Sequence, residues 1–373
     1  MSNSNIAMIS AMLDQYGDFG ASDIHITSNR GAFYVKDKAT KKMQKFPSTG
    51  GNQLINTLIE LIPGGMAAVE KNGQGDASFD EGGKYRGRLA VRKESGGLSS
   101  TMRVISRDIP TVEKLGLPQS IVSLVNRPSG LVLLVGQTGS GKSTTIAALN
   151  NLVNMTQDSS IYTLEAPIEY IYPEGKSLVV QREIGLHVES FSKGVENAKR
   201  SHPRIIVVGE ILNTEVARSV LLAATSGHLV VSTMHAGTAA EAVDSFVSMF
   251  TPEEQGLIRT QLAQSLLGIV AQTLVAKPGG GMALAQEIAF NTPTFADLLR
   301  GSGNRSNDTK YIQQLLLGST GRAEGMISME ESLASLVKTE TITLASGFAI
   351  ARDRSAFEEK LSQFGVRFQS QAA

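Results

Sequence analysis

The run Gly136-Gln137-Thr138-Gly139-Ser140-Gly141-Lys142-Ser143 is a full match to G-x-x-x-x-G-K-[ST]. Its residue types suit one task, holding phosphate. Glycines let the backbone curl so that successive N–H groups point at phosphate oxygens, and the start of the following helix adds its positive end. Lys142 is placed to reach the β/γ-phosphates of a nucleotide, and the Ser143 hydroxyl to ligate Mg²⁺. Gly136, Gln137, Thr138, Gly139, Ser140, Gly141, Lys142, Ser143 and Thr144 are therefore the candidate nucleotide-binding residues. The context agrees, because an apolar strand (131–135) precedes the motif and a helix (144–152) follows it. The competing reading is a glycine turn that merely joins strand to helix.

A cradle alone does not specify what is done with the phosphate. Hydrolysis also needs a metal ligand, a group that positions water and a stabiliser of charge. In an open α/β sheet these gather at the carboxyl ends of the strands. Glu165 follows the apolar run 161–164, Glu210 follows 205–208 and Gly209, and His235 follows 229–234. Each polar group stands where an apolar run stops. A solvated carboxylate at a strand end is the bland reading of either glutamate alone; three such groups in the sheet that carries the cradle favour a site.

The elements that must position these groups alternate between strand and helix from Gly130 onward, which predicts a parallel-rich sheet covered on both faces. Between the last two strands Val216, Val220, Leu221 and Ala224 fall at helical spacing, with Asn213 or Thr214 as cap and Gly227 as stop. The first hundred residues predict a small mixed α/β unit. It has helices over 6–16 and 52–62, short strands over 23–27 and 31–36, and a hairpin pairing 85–91 with 99–105. The second helix is expected to end at Pro63, Gly64 and Gly65. Arg107-Asp108-Ile109-Pro110 breaks the pattern. The expected division is thus an N-terminal domain 1–106, a linker 107–118, a nucleotide-binding domain 119–300 and a C-terminal helical region 301–373. The last opens on the polar stretch 301–307 and includes helices over 329–338 and 357–364.

Composition narrows the class. With 373 residues, the length suits two to three domains at roughly 150 residues each. Lys plus Arg is 35 and Asp plus Glu is 35, so the formal net charge is zero. A neutral chain without tryptophan has no global field and no evident stacking stripe for nucleic acid, which argues against that partner. There are no cysteines, which excludes disulfides, thiol catalysis and Cys-ligated zinc. The apolar runs 131–135 and 262–275 are too short or too polar to span a bilayer, and residues 1–20 lack the basic start and apolar core of a secretory signal. The expectation is a soluble, multidomain protein of a reducing compartment.

The motifs, taken in order, resemble those of the PilT/GspE-type secretion ATPases of type II and type IV systems. Gly130–Thr145 is similar to that family's Walker A. Tyr162-Thr163-Leu164-Glu165-Ala166-Pro167-Ile168-Glu169 resembles its Asp box, and Val208-Gly209-Glu210 its Walker B. Ser226-Gly227-His228-Leu229 through Met234-His235 resembles its His box, and Ala21-Ser22-Asp23-Ile24-His25-Ile26 the opening of its PAS-like N-terminal domain. The resemblance implies a RecA-like P-loop domain preceded by a small PAS-like α/β domain and followed by C-terminal helices. It implies a homohexamer that hydrolyses ATP with Mg²⁺, the nucleotide bound between the N-terminal domain and the RecA-like domain of the same or a neighbouring subunit. It also implies Glu165 as general base or water positioner, Glu210 on the Mg²⁺ water shell, and His228 and His235 as γ-phosphate sensors. Arg88 and Arg103 match the family's charge-stabilising arginines. His25 is read as a packed histidine. The partners implied are inner-membrane platform, secretion or conjugation proteins, with the chain cytoplasmic and docked at the membrane through them.

Departures from the family pattern refine this. Ala166 stands where the family has Asp, so the hydrogen bonds that support Glu165 must differ, and a nucleotide-gated scaffold with little turnover stays open. Ser201-His202-Pro203-Arg204 makes the rim before the Walker B strand more basic. After Thr292-Pro293 the chain reads Thr294-Phe295-Ala296-Asp297-Leu298-Leu299, which keeps little of the helix found in pilus-retraction members. The expected apparatus is therefore type IVB secretion or conjugative transfer, resembling the DotB/TraJ-like subgroup, with pilus retraction as the alternative and a RecA-like nucleic-acid translocase as the alternative of another class.

Overall fold

The computed structural model describes residues 3–28, 32–37, 42–47, 51–301 and 310–368. The chain divides into two compact units, Met1–Ile109 and Pro110–Ala373.

The first unit runs α1 (Asn3–Asp18), β1 (Ala21–Thr27), β2 (Ala32–Asp37), β3 (Met43–Pro47), α2 (Gly51–Ile59), α3 (Gly65–Asn72), β4 (Gln74–Phe79), β5 (Tyr85–Glu94) and β6 (Gly97–Ser106). Its sheet has the order β3-β2-β1-β6-β5-β4, with every pair antiparallel. In α1 the buried residues Ile9, Leu13 and Tyr16 repeat at i, i+4 and i+7, one stripe of a helix. That stripe joins Ile24, Leu58, Leu89 and Met102 in the core. The β5–β6 hairpin is longer than the alternation predicts: its register reaches Glu94 opposite Gly97, leaving Ser95-Gly96 as the turn. The helix expected to reach residue 62 stops at Ile59. Gly64 is left-handed (φ +81), and Gly65 opens α3 instead of ending α2. Strand β4 escapes sequence reading because Gly75 and Asp76 are poor strand formers; pairing with β5 makes it a strand.

The second unit begins with α4 (Gln119–Leu124), β7 (Gly130–Val135), α5 (Lys142–Thr156), β8 (Ser160–Glu165), β9 (Leu178–Glu183), α6 (Phe191–Arg200), β10 (Ile205–Val208), α7 (Thr214–Thr225), β11 (Leu229–Met234), α8 (Ala239–Ser248) and α9 (Pro252–Ser265). It continues through β12 (Leu266–Ala276), β13 (Met282–Phe290), α10 (Pro293–Arg300), α11 (Lys310–Leu317), α12 (Ser319–Ala323), α13 (Met329–Lys338), α14 (Leu344–Ile350) and α15 (Arg354–Gln363). The sheet order is β13-β12-β7-β11-β10-β8-β9, parallel except for β13 against β12.

Strand β7 shows why these strands are continuous apolar runs. Side chains alternate across a sheet. Leu131, Leu133 and Val135 enter a core with residues of α6 to α9, while Val132 and Leu134 enter another with residues of α4 and α5. Both faces are covered, so no position can be polar without a partner. Strands β9, β12 and β13 lie outside the sequence expectation. The apolar run 262–275 hides a switch from helix to strand at Leu266, where no glycine or proline marks the change.

Val112 and Leu117, within the expected linker, pack in the core beneath β7. The helices after Gly301 belong to the second unit: Met329, Leu333, Phe357 and Leu361 pack with Val275 and Ala285 of the β12–β13 hairpin. The polar stretch expected there lies, beyond Gly301, outside the described residues. Among the described residues no helix is long and apolar enough to cross a membrane.

Candidate active site

The cradle joins the carboxyl end of β7 to α5. Gly136, Gly139 and Gly141 have φ of +152°, +80° and +93°, backbone that residues with a Cβ rarely adopt. At 136 a Cβ would also collide with the Ser140 hydroxyl and the Gln272 carbonyl. Lys142 Nζ donates to the carbonyls of Gly136 at 2.6 Å and Gln137 at 3.1 Å. Burial lowers the Lys142 pKa, opposed by the carboxylates of Glu210 and Glu169. Behind the loop, the buried Gln272 side chain of β12 donates to Thr145 Oγ1 at 2.9 Å, and the Thr144 and Tyr170 hydroxyls lie 3.0 Å apart. The start of α5 is thus fixed from two directions.

Strands β11, β10 and β8 follow β7 in the sheet, and three expected groups occupy their carboxyl ends. His235 Nε2 lies 2.6 Å from Glu210 Oε1. The turn bearing Glu210 is held by β11: Thr233 Oγ1 donates to the Gly209 carbonyl at 2.7 Å, and the Ile211 N–H to the Thr233 carbonyl at 2.9 Å. Glu165 ends β8. Its Oε1 accepts from Thr163 Oγ1 at 2.6 Å and Gln181 Nε2 at 3.1 Å. Thr163 and Gln181 are the support that Ala166 does not give. Burial still raises the Glu165 pKa, with these donors opposing it.

The structure sets His228 apart from the other expected groups. The motif groups it with His235, yet the whole of β11 lies between them, on the order of 20 Å at the usual rise per residue. Its carbonyl accepts from the Gly130 N–H at the amino end of β7, so within this chain its ring is at the far end of the sheet from the cradle. Burial lowers its pKa, and Nδ1 is buried without a hydrogen-bond partner. The basic rim around His202 and Arg204 lies at that amino end too, where Arg204 donates to the Val125 carbonyl at 3.0 Å.

In the first unit Arg88 on β5 and Arg103 on β6 are direct cross-strand partners, so their side chains share one face. Arg103 Nε donates to Asp23 Oδ1 at 3.2 Å. His25 is half-buried against Thr101, its Nδ1 3.2 Å from Oγ1.

The donor set fits the groups that such a loop takes. A few hard oxygens from Ser143 and Glu210 suit Mg²⁺, which keeps several waters and shares substrate phosphates. The glycine backbone and Lys142 suit a polyphosphate. Gln181, Thr233 and Gln272 are parts of the site to which sequence reasoning gives no role, and Thr163 and Glu169 enter it only as members of the Asp-box run. For all but Glu169 the visible signal is a hydroxyl or amide inside a strand.

A phosphate loop after the first strand of a two-faced parallel sheet, with acidic groups and a histidine at neighbouring strand ends, defines a P-loop nucleotide-hydrolysing domain. Residues 2–279 match the family described as type II/IV secretion system protein. The chain belongs to that family and is an ATPase of it. It is 34% identical over 319 residues to the type IV pilus retraction ATPase PilT of Pseudomonas aeruginosa, covering 85% of this chain and 90% of the relative. Among solved structures it is similar to the pilus retraction motor PilT with bound ADP, with a TM-score of 0.81, 32% identity and 94% and 99% of the two chains covered. The Legionella pneumophila ATPase DotB shares the fold, with a TM-score of 0.78, 24% identity and 92% and 95% covered.

Proposed function

We propose that this chain is a homohexameric motor ATPase that couples ATP hydrolysis to motion between its two units and powers retraction of a type IV pilus. Relatedness to a retraction ATPase along nearly the whole of both chains carries this reading, ahead of the type IVB or conjugative apparatus expected from the sequence. The conjugative reading keeps one observation in its favour, the helix α10, whose Thr294–Leu299 sequence departs from retraction members.

In the proposed site the loop amides and Lys142 hold the β- and γ-phosphates. Ser143, and Glu210 through water, would hold Mg²⁺, which when bound supplies charge neutralisation on those oxygens. Glu165 positions the attacking water or takes its proton. Glu169 is a second reading for the proton acceptor, favoured because two donors already occupy Glu165 Oε1 while the Glu169 carboxylate acts on Lys142. His235 senses the γ-phosphate through its bond to Glu210. Arg88 and Arg103 supply positive charge to a nucleotide held by the same or a neighbouring subunit. The motor works at the cytoplasmic side of the inner membrane, docked through platform proteins.

Deleting the gene in its own host tests the apparatus. Pili that remain on cells that no longer twitch are the expected result. Normal surface motility with loss of conjugative or effector transfer would overturn retraction in favour of the second reading.

A further inference from the structure

The loop between β11 and α8, residues 235–238, carries His235 and is tied to the C-terminal helices by one ion pair, buried on its Glu287 side. Glu287 on β13 has no exposed surface. Its Oε1 accepts the Ala239 N–H, the first of α8, at 2.7 Å. Its Oε2 accepts from Arg352 Nη1 at 3.2 Å. The other terminal nitrogen of Arg352 donates to the Gly237 carbonyl. Arg352 stands between α14 and α15, and its backbone N–H donates to Oε1 of the buried Glu330 on α13 at 3.3 Å. The loop is completed from within: the Gly237 N–H donates to Glu241 Oε2 at 2.7 Å, and Thr238 Oγ1 accepts the Glu241 N–H at 2.9 Å.

From this we propose that Arg352 and Glu287 form a latch through which the C-terminal helices set the position of His235, and so the rate of hydrolysis. Two residues before the Arg352 contact stands His235, itself 2.6 Å from Glu210. The Arg352 guanidinium joins the 235–238 loop to a sheet strand and its backbone N–H joins α13, so a shift of the C-terminal helices is passed to the loop. Arg352 touches none of the nucleotide-binding residues and acts only through the loop: it is a positioning residue. Lysine in its place keeps the charge but must reach both acceptors from a single nitrogen, without the planar fork that fixes their relative direction. The inference rests on the proposed roles of His235 and Glu210.

The test combines a structural and a kinetic readout on the full chain. Hydrogen exchange in the 235–241 segment of Arg352→Gln should run about tenfold faster than in the parent, since a charge-assisted bond to the loop is gone. ATP turnover should fall about tenfold from a displaced His235, with affinity for a fluorescent ATP analogue held within about twofold. Arg352→Lys should lie between the two. Glu287→Gln, which keeps an acceptor for the Ala239 amide, guards against simple misfolding. It should move both readouts in the same direction by less, and add little when combined with Arg352→Gln, because the two act as one unit. Unchanged exchange in Arg352→Gln overturns the latch whatever the turnover, and so does an affinity loss as large as the turnover loss. Failure of the active-site reading is separate: it would appear as full turnover in Lys142→Ala, with the exchange result unaffected.

Discussion

The two ends of the same parallel strands hold similar residue types and put them to different uses. At the carboxyl ends of β8, β10 and β11 stand Glu165, Glu210 and His235, grouped beside a loop of left-handed glycines and a half-buried lysine. At the amino ends, Arg204 caps a helix carbonyl and the His228 backbone joins β7 to β11. The difference is one of direction. Every βα connection in a parallel sheet leaves from the carboxyl end, so loop amides and helix N-termini converge there and can meet phosphate. A histidine is no guide to function until the end of the strand it occupies is known.

The largest effect expected from breaking that asymmetry is at Glu210. Glu210→Gln should lower turnover by about 10²–10³ while leaving ATP binding largely intact, as for other losses of a charged group at a reacting centre. Steady-state hydrolysis with equilibrium binding measures both, and a parallel collapse of affinity would make Glu210 structural. Next come the paired carboxylates near β8. The one that accepts the proton should cost about 10² in turnover when changed to Gln, within the range for general base catalysis. Comparing Glu165→Gln with Glu169→Gln identifies it, and two small effects would remove both from the chemistry. The ends themselves are compared by histidine: His235→Ala should cost about tenfold in turnover, the order expected of a mispositioned or missing sensor group, and His228→Ala almost nothing. Equal losses would erase the distinction drawn above.

The smallest effect is on stability. Burial pushes the Glu287 carboxyl up to about 6 from 4.5, with Glu330 and Glu241 adding to the rise and the Ala239 amide and Arg352 opposing it. A carboxyl raised on folding favours the fold in its protonated form, so its contribution is fully present below pH 4.5 and lost as pH rises through 6. Relative to Glu287→Gln, the parent should lose about 2 kcal/mol between pH 4 and pH 7, since each tenfold change in proton affinity is worth about 1.4 kcal/mol. Denaturant midpoints of the two proteins across that range check the slope. A flat or rising difference would mean Arg352 holds Glu287 charged throughout.

Much of this arrangement is legible in the chain. The cradle and its flanking strand can be read because phosphate binding constrains residue type position by position, and buried parallel strands leave long apolar runs. Glu165, Glu210 and His235 are visible as the polar residues that end such runs. What escapes depends on contacts distant in sequence. Gln272 and Gln181 look like ordinary strand residues until β12 and β9 are placed beside their neighbours, and the entry to β12 carries no punctuation. The separation of His228 from His235 is hidden because sequence motifs record order and not which end of a strand a residue occupies. Arg352 lies 65 residues from Glu287, so nothing local announces their pairing.

The central claim is that a nucleoside triphosphate is hydrolysed at the carboxyl end of β7. Magnesium-dependent release of phosphate from ATP by the purified chain, measured beside Lys142→Ala, tests it most directly. Turnover in the parent, with loss of at least about 10² in the variant as the charge facing the phosphates disappears, is the predicted result. Equal turnover in both proteins would contradict it.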